Sequence, residues 1–199
     1  MSEALSDGRR LVLASTSPFR RELLARLGLT FAVQAPDIDE TCLAGESATA
    51  LVMRLAEWKA RRVAKQMSAA LIIGSDQVAV LNEEIIGKPG NHRRAIEQLQ
   101  QASGNRVIFY TGLCLLDGAS GQCQVAVESF QVVFRALTME MIEHYLQREQ
   151  PYHCAGSFKS EGLGITLFER LEGDDPTSLI GLPLIRLVRM LEAAKVAIL

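Results

Sequence analysis

The stretch Leu71-Ile72-Ile73-Gly74-Ser75-Asp76-Gln77 decides how the rest of the chain reads. Three branched aliphatic residues in a row predict a strand covered on both faces, as in sheets with helices on each side. Gly74 and Ser75 then let another group approach the backbone closely. Asp76 is expected at the end of that strand, where open α/β sheets place their ligands. A carboxylate delivered there by a rigid sheet suits chemistry. It equally suits a cap or a turn, because aspartate is a common turn former.

Working outward toward the N-terminus, Leu11-Val12-Leu13-Ala14 predicts another short strand. Ser17, Pro18 and Gly28 fit the N-cap, the first helical position and the C-terminal cap of the helix that follows. Leu23, Leu24 and Leu27 form its apolar face. Two hydroxyls and two arginines, Arg20 and Arg21, therefore sit where strand becomes helix, a spot where free N–H groups and the helix dipole favour an anion. The plain alternative is a well-capped surface helix with solvated arginines. Phe31 to Ala35 predicts a second strand, and Pro36-Asp37-Ile38-Asp39-Glu40 an acidic loop. Its carboxylates read either as oxygen ligands for a hard cation or as a solvated turn. Ser47 opens a long helix to about Met67, with Leu51, Val52, Leu55, Ala56 and Val63 as its stripe. Lys59 falls on that stripe, so it must snorkel to the edge or point into a polar pocket.

Toward the C-terminus, Gly87-Lys88-Pro89 makes a stiff loop that offers Lys88 to a phosphate. The pattern G-x-x-x-x-G-K-[ST] is absent, which argues against a P-loop. Asn91 caps a helix to Gly104, Val107 to Leu116 is a central strand, and Asp117 to Gly121 turns a hairpin. The run from Pro151 to Gly164 carries three glycines, several hydroxyl or thiol groups and a Lys159/Glu161 pair. That is the composition of a functional loop. Ile165 to Phe168 is expected as the last strand, before a terminal amphipathic helix from Pro183.

The chain has 199 residues, 48% hydrophobic and 22% charged, with a net charge of −2. That balance belongs to a globular protein with a sizeable core. It lacks the positive footprint that a nucleic-acid polymer requires. No apolar run approaches the ~18 residues needed to span a bilayer, so no membrane partner is expected. Met1 to Arg10 is polar and reads as a flexible segment ahead of one domain over 11–199. The four cysteines form no C-x-x-C pair, which suits reduced thiols in a cytoplasm.

Taken together, Arg20, Lys59 and Lys88 supply cations, Ser15 and its neighbours supply hydroxyls, and Glu40 and Asp76 supply carboxylates. This is the equipment for a polyphosphate and a metal, since phosphoryl chemistry rests mainly on positioning and charge neutralisation. The same motifs, in the same order, carry a family resemblance. Leu13 through Arg21, Asp39-Glu40, Lys59-Ala60, Gly74-Ser75-Asp76-Gln77, Gly87-Lys88-Pro89 and Ser103-Gly104 resemble the Maf-like nucleoside triphosphate pyrophosphatases, also called septum formation inhibitors. The likeness runs from about Leu11 to the final helix.

The resemblance implies a mixed, twisted α/β sheet flanked by helices, with two lobes around a central cleft, as in inosine-triphosphate pyrophosphatases. It implies hydrolysis between the α- and β-phosphates with a divalent cation, Mg²⁺, Mn²⁺ or Co²⁺. Asp76 matches the proton acceptor. Ser15, Arg20, Lys59 and Lys88 match substrate-binding positions, and Glu40 joins Asp76 as a metal position. Phe19, Gln77 and Glu161 match the specificity positions, and they look like the branch acting on 7-methyl-GTP rather than on dTTP and UTP. The chemistry agrees: N7 methylation makes guanine cationic, an aromatic face attracts a cation, and a carboxylate accepts its hydrogen bonds. Members of that branch often carry tryptophan where Phe19 stands, so the weaker ring predicts softer selectivity. The family also leaves a homodimer, a house-cleaning role and a non-catalytic part in division arrest as alternatives.

Overall fold

The strand that opens with Leu71-Ile72-Ile73 is β3 (Ala70–Leu81) in a computed structural model that describes Leu5 and residues 8–199. Residues 1–4, 6 and 7 of the expected flexible segment lie outside the described residues. Asp76 is not at the end of β3 but in its middle. β1 (Arg10–Ala14) pairs with it in parallel as far as Gly74, and past that ladder β4 (Glu84–Ile86) pairs with it antiparallel from Ala79. β5 (Arg106–Asp117) is a further neighbour. Ser75 to Val78 lie between those two ladders, so Asp76 has sheet rigidity at a point where neither strand covers it.

The remaining strands are β2 (Ala32–Val33), β6 (Cys123–Phe134) and β7 (Phe168–Glu172). The sheet runs β2-β1-β3-β5-β6-β7, with β4 also on β3. β1 is parallel to both β2 and β3, while β6 and β7 are antiparallel. The chain thus forms the expected mixed α/β sheet flanked by helices. Where Ile165 to Phe168 was expected as a strand, Leu163–Leu167 is a 3₁₀ turn and β7 begins at Phe168.

The chain divides into two compact units. The first holds Met1–Asp76, Thr111–Glu128 and Gly181–Leu199. Its helices are α1 (Pro18–Ala25), α2 (Ala48–Ala64) and α6 (Leu184–Ala193). Ser17 and Ser47 cap α1 and α2 as the sequence predicts. α1 ends earlier than expected, with Gly28 in the following turn at φ +67°. The core beneath α2 comprises Val12, Ala56, Ala60, Ile72, Cys114 and Leu116. Two glycines set how close α2 comes: a Cβ on Gly74 would lie 2.0 Å from the Ala56 carbonyl oxygen, and one on Gly112 2.2 Å from that of Val52.

The second unit holds Gln77–Tyr110 and Ser129–Ile180. It contains α3 (His92–Ala102), α4 (Met139–Glu149) and α5 (Pro176–Ile180). α5 is a short helix of five residues. The core of this unit includes Leu99, Val107, Val132, Ile142 and Leu146. Phe109, Phe134, Phe158 and Phe168 join it edge to face, with centroids 4.9–5.5 Å apart. T-shaped pairs of this kind are favourable beyond simple area burial.

Candidate active site

Lys59 is the pivot of the first unit. The apolar stripe of α2 carries it inward, and the tight approach at Gly74 brings it over β3. Of the two sequence alternatives, the polar pocket holds. Lys59 Nζ donates to Asp76 Oδ1 at 2.6 Å and pairs with Glu40 Oε1, also at 2.6 Å. The side chains of Lys59 and Asp76 are 6% and 10% exposed, against 55% for Glu40. One buried ammonium thus draws two carboxylates to a single point, one from a rigid strand and one from a surface loop. Breaking such a buried pair by removing one partner costs about 3–5 kcal/mol, because a lone charge is left behind.

Arg20 borders the same carboxylates. Ser17 caps α1 by accepting from the Arg20 N–H at 3.4 Å, which fixes the first turn. The guanidinium then donates through Nε to the Gly181 carbonyl at 2.8 Å and through Nη1 to Ser15 Oγ at 3.5 Å. Ser15 Oγ also accepts the Ser17 N–H. Burial pulls the guanidinium below the usual arginine value, while the charges of Asp76 and Glu40 push it back up. Arginine stays protonated through such a shift, so Arg20 is a desolvated cation facing anions. Ser75, buried beside Asp76, donates to the same Gly181 carbonyl at 3.0 Å. Gly181 sits at φ +124°, in the region that favours glycine, and that conformation turns its carbonyl to both donors. Nothing in the sequence pattern marks Gly181 for this role; only the backbone angle does.

Phe19 stands half-buried in the first turn of α1, one residue before Arg20. The structure therefore brings Ser15, Arg20, Glu40, Lys59 and Asp76 together in the first unit, with Phe19 on the same helix turn as Arg20.

The other expected residues belong to the second unit. Gln77 donates through Nε2 to the Ser178 and Leu179 carbonyls, at 2.7 and 3.1 Å, and so anchors α5. Lys88 is exposed in a loop held at both ends: Gln98 donates to the Gly87 carbonyl, and the Gly90 N–H donates to that of Tyr152. Glu161 is exposed on the turn before Gly162, where the Ser160 hydroxyl donates to it at 3.2 Å.

The family model described as Maf-like protein matches residues 10–194, nearly the whole described chain. The chain belongs to the Maf-like family. A 7-methyl-GTP pyrophosphatase of Nitrosococcus oceani is 62% identical over 184 residues, 92% of each chain. One of Vibrio cholerae is 57% identical over 183 residues, 92% of this chain and 94% of that one. Among solved structures, the Staphylococcus aureus Ham1 protein is similar with a TM-score of 0.45 and 18% identity, covering 62% of this chain and 71% of that one. In this Maf-like protein the carboxylate donors suit a hard divalent cation, which prefers oxygen. Among the described residues, no three His, Cys, Asp or Glu side chains gather at one point. The protein therefore offers two carboxylates, the number with which Mg²⁺ is commonly held when substrate phosphates and water complete its shell. No helix among the described residues is long and apolar enough to cross a membrane.

Proposed function

We propose that this Maf-like protein hydrolyses 7-methyl-GTP to 7-methyl-GMP and pyrophosphate with the help of a divalent cation. The observation that carries the reading is the two carboxylates held by one buried lysine beside a desolvated arginine, in a chain most of whose length matches relatives bearing that enzyme name.

Asp76 accepts the proton of the attacking water. Lys59 fixes the orientation of Asp76 through the 2.6 Å contact. A base so held is ready for the in-line geometry that phosphoryl transfer demands. Arg20 and Ser15 hold phosphate oxygens, and Lys88 adds a second cation for the departing pyrophosphate. Charge arithmetic supports a metal at this cluster. Arg20 and Lys59 contribute +2, and Glu40 and Asp76 contribute −2, so the cluster is neutral before a triphosphate arrives. When bound by Glu40 and Asp76, a divalent cation would neutralise phosphate charge and polarise the scissile phosphorus.

Selectivity falls to Phe19, Gln77 and Glu161. The ring of Phe19 offers its π face to the cationic 7-methylguanine, a contact worth about 0.5–2 kcal/mol. Glu161 accepts from the edge of the base while opposing its positive charge. Gln77 acts through the segment it anchors, because its Nε2 already donates to two carbonyls. The test is a panel of methylated and unmodified nucleoside triphosphates with Mg²⁺, Mn²⁺ and Co²⁺. Pyrophosphate release fastest from 7-methyl-GTP supports the reading; equal rates on GTP or faster rates on UTP overturn it.

A further inference from the structure

The geometry points to Glu149 as a positioning residue for substrate selectivity, acting through the turn that carries Glu161. This inference rests on the reading of Glu161 as the group that meets the base.

Glu149 is the last residue of α4, and Gln150 leaves the helix in the left-handed conformation with φ +47°. The Glu149 carboxylate is thereby presented to the turn over 159–163, and it grips that turn at both ends. Oε1 meets Lys159 Nζ at 3.2 Å, and Oε2 accepts the Leu163 N–H at 2.9 Å. Lys159 Nζ also donates to the Glu149 carbonyl at 3.1 Å. A further tether comes from the same helix: the Lys159 N–H donates to Tyr145 Oη at 3.1 Å, and the Tyr145 ring is buried in the core. Glu161 stands between the two gripped points and faces solvent.

The fit leaves no room for substitution around the grip. A Cβ on Gly162 would lie 2.9 Å from Glu149 Oε2, and one on Gly164 would lie 2.2 Å from the Lys159 carbonyl oxygen. The Leu163 N–H, followed by Lys159, also holds the Glu149 carboxyl below its ordinary value, so it is ionised at neutral pH. Glu149 makes no appeal to the reacting phosphates. Its carboxylate is fully engaged by the turn, and the exposed carboxylate of the turn is that of Glu161. A short loop clamped to a helix by a charged side chain loses little entropy when its apex meets a ligand, which is how preorganisation raises affinity.

The prediction is that Glu149→Ala lowers kcat/KM for 7-methyl-GTP about tenfold, chiefly through KM, while GTP hydrolysis changes little. The preference for the methylated base then falls in the same direction as in Glu161→Gln. In the Glu149→Ala/Glu161→Gln double variant the preference falls no further than in Glu161→Gln alone, since both changes remove one interaction. Glu149→Gln and Lys159→Met provide milder versions should Glu149→Ala fold poorly, each judged after a thermal melt. Glu149 variants that slow both substrates by one factor, or that add fully to Glu161→Gln, would overturn the inference. A Glu161→Gln variant with unchanged preference is a different result: it removes the base-reading role of Glu161 itself.

Discussion

Replacing Gly74 with alanine tests how the sheet holds Lys59 against Asp76. The new Cβ would fall 2.0 Å from the Ala56 carbonyl oxygen and 3.0 Å from the Ala60 nitrogen, whereas ordinary contact begins at 3.4 Å. Relieving the first clash needs 3.4 − 2.0 = 1.4 Å of separation. β3 cannot supply it, because Gly74 is buried and paired with Ala14 in the parallel ladder. α2 must lift instead, at the turn that carries Lys59. A 2.6 Å contact lengthened by even ~1 Å leaves hydrogen-bond range. Overpacking costs about 1–3 kcal/mol, and stretching the Lys59–Asp76 hydrogen bond out of range, with both charges still facing each other, about 1–3 kcal/mol more. The sum, about 2–6 kcal/mol, is a large share of the ~5–15 kcal/mol that holds a typical protein folded. With an m-value of about 2 kcal/mol/M, the urea midpoint should drop by about 1–3 M. Turnover in the fraction that remains folded should fall about 10²-fold, the usual cost of misplacing a catalytic group by ~1 Å. The assay pairs urea unfolding with pyrophosphate release. Gly87→Ala is the control, since nothing lies within 4 Å of its added Cβ, and its stability should hold to within about 0.5 kcal/mol. A Gly74→Ala protein with native midpoint and turnover would refute the claim that close helix–sheet packing positions Lys59.

Further expectations follow from neighbouring contacts. Gly181→Ala should cost about 1–3 kcal/mol in a melt, because alanine is strained at φ +124°, and it should raise KM by releasing Arg20. Glu46, paired with Arg54 at 2.6 Å, has its carboxyl drawn down to about 2, first by that hydrogen bond. A depressed folded value means stability that is present above the unfolded value of about 4.3 and is lost as pH falls toward 2. Acid titration of unfolding between about pH 4.3 and 2 should therefore be shallower in Arg54→Met than in the native protein. Removal of divalent cations with a chelator should stop hydrolysis, and added Mg²⁺ or Mn²⁺ should restore it; full activity in the chelated enzyme would refute the role given to Glu40 and Asp76.

Much of this was legible in the residues themselves. The caps at Ser17 and Ser47 and the position of Lys59 on an apolar stripe follow from local spacing, so the sequence predicts them and the structure keeps them. What local spacing misses is set by distant partners. β3 outlasts Asp76, with β4 paired to its last residues from Ala79. The residues from Leu163 turn rather than extend because Glu149 takes the Leu163 N–H from another helix. The short α5 has a local start in Asp175-Pro176, where the Asp175 carboxylate accepts the Thr177 N–H, but it is held by Gln77, about a hundred residues away. Gly181 has no distinguishing sequence pattern, and its backbone angle is what presents the carbonyl to Arg20 and Ser75. The carboxylates were visible as candidates, but their meeting at one ammonium belongs to the fold.

The central claim is that Asp76, held by Lys59, activates water for attack on a 7-methyl-GTP phosphate. Asp76→Asn keeps the shape of the side chain and removes its capacity to accept a proton. Pyrophosphate release from 7-methyl-GTP with Mg²⁺ should then fall by at least about 10³-fold, with the thermal melt showing a folded protein. Release at the native rate from that folded variant would contradict the account.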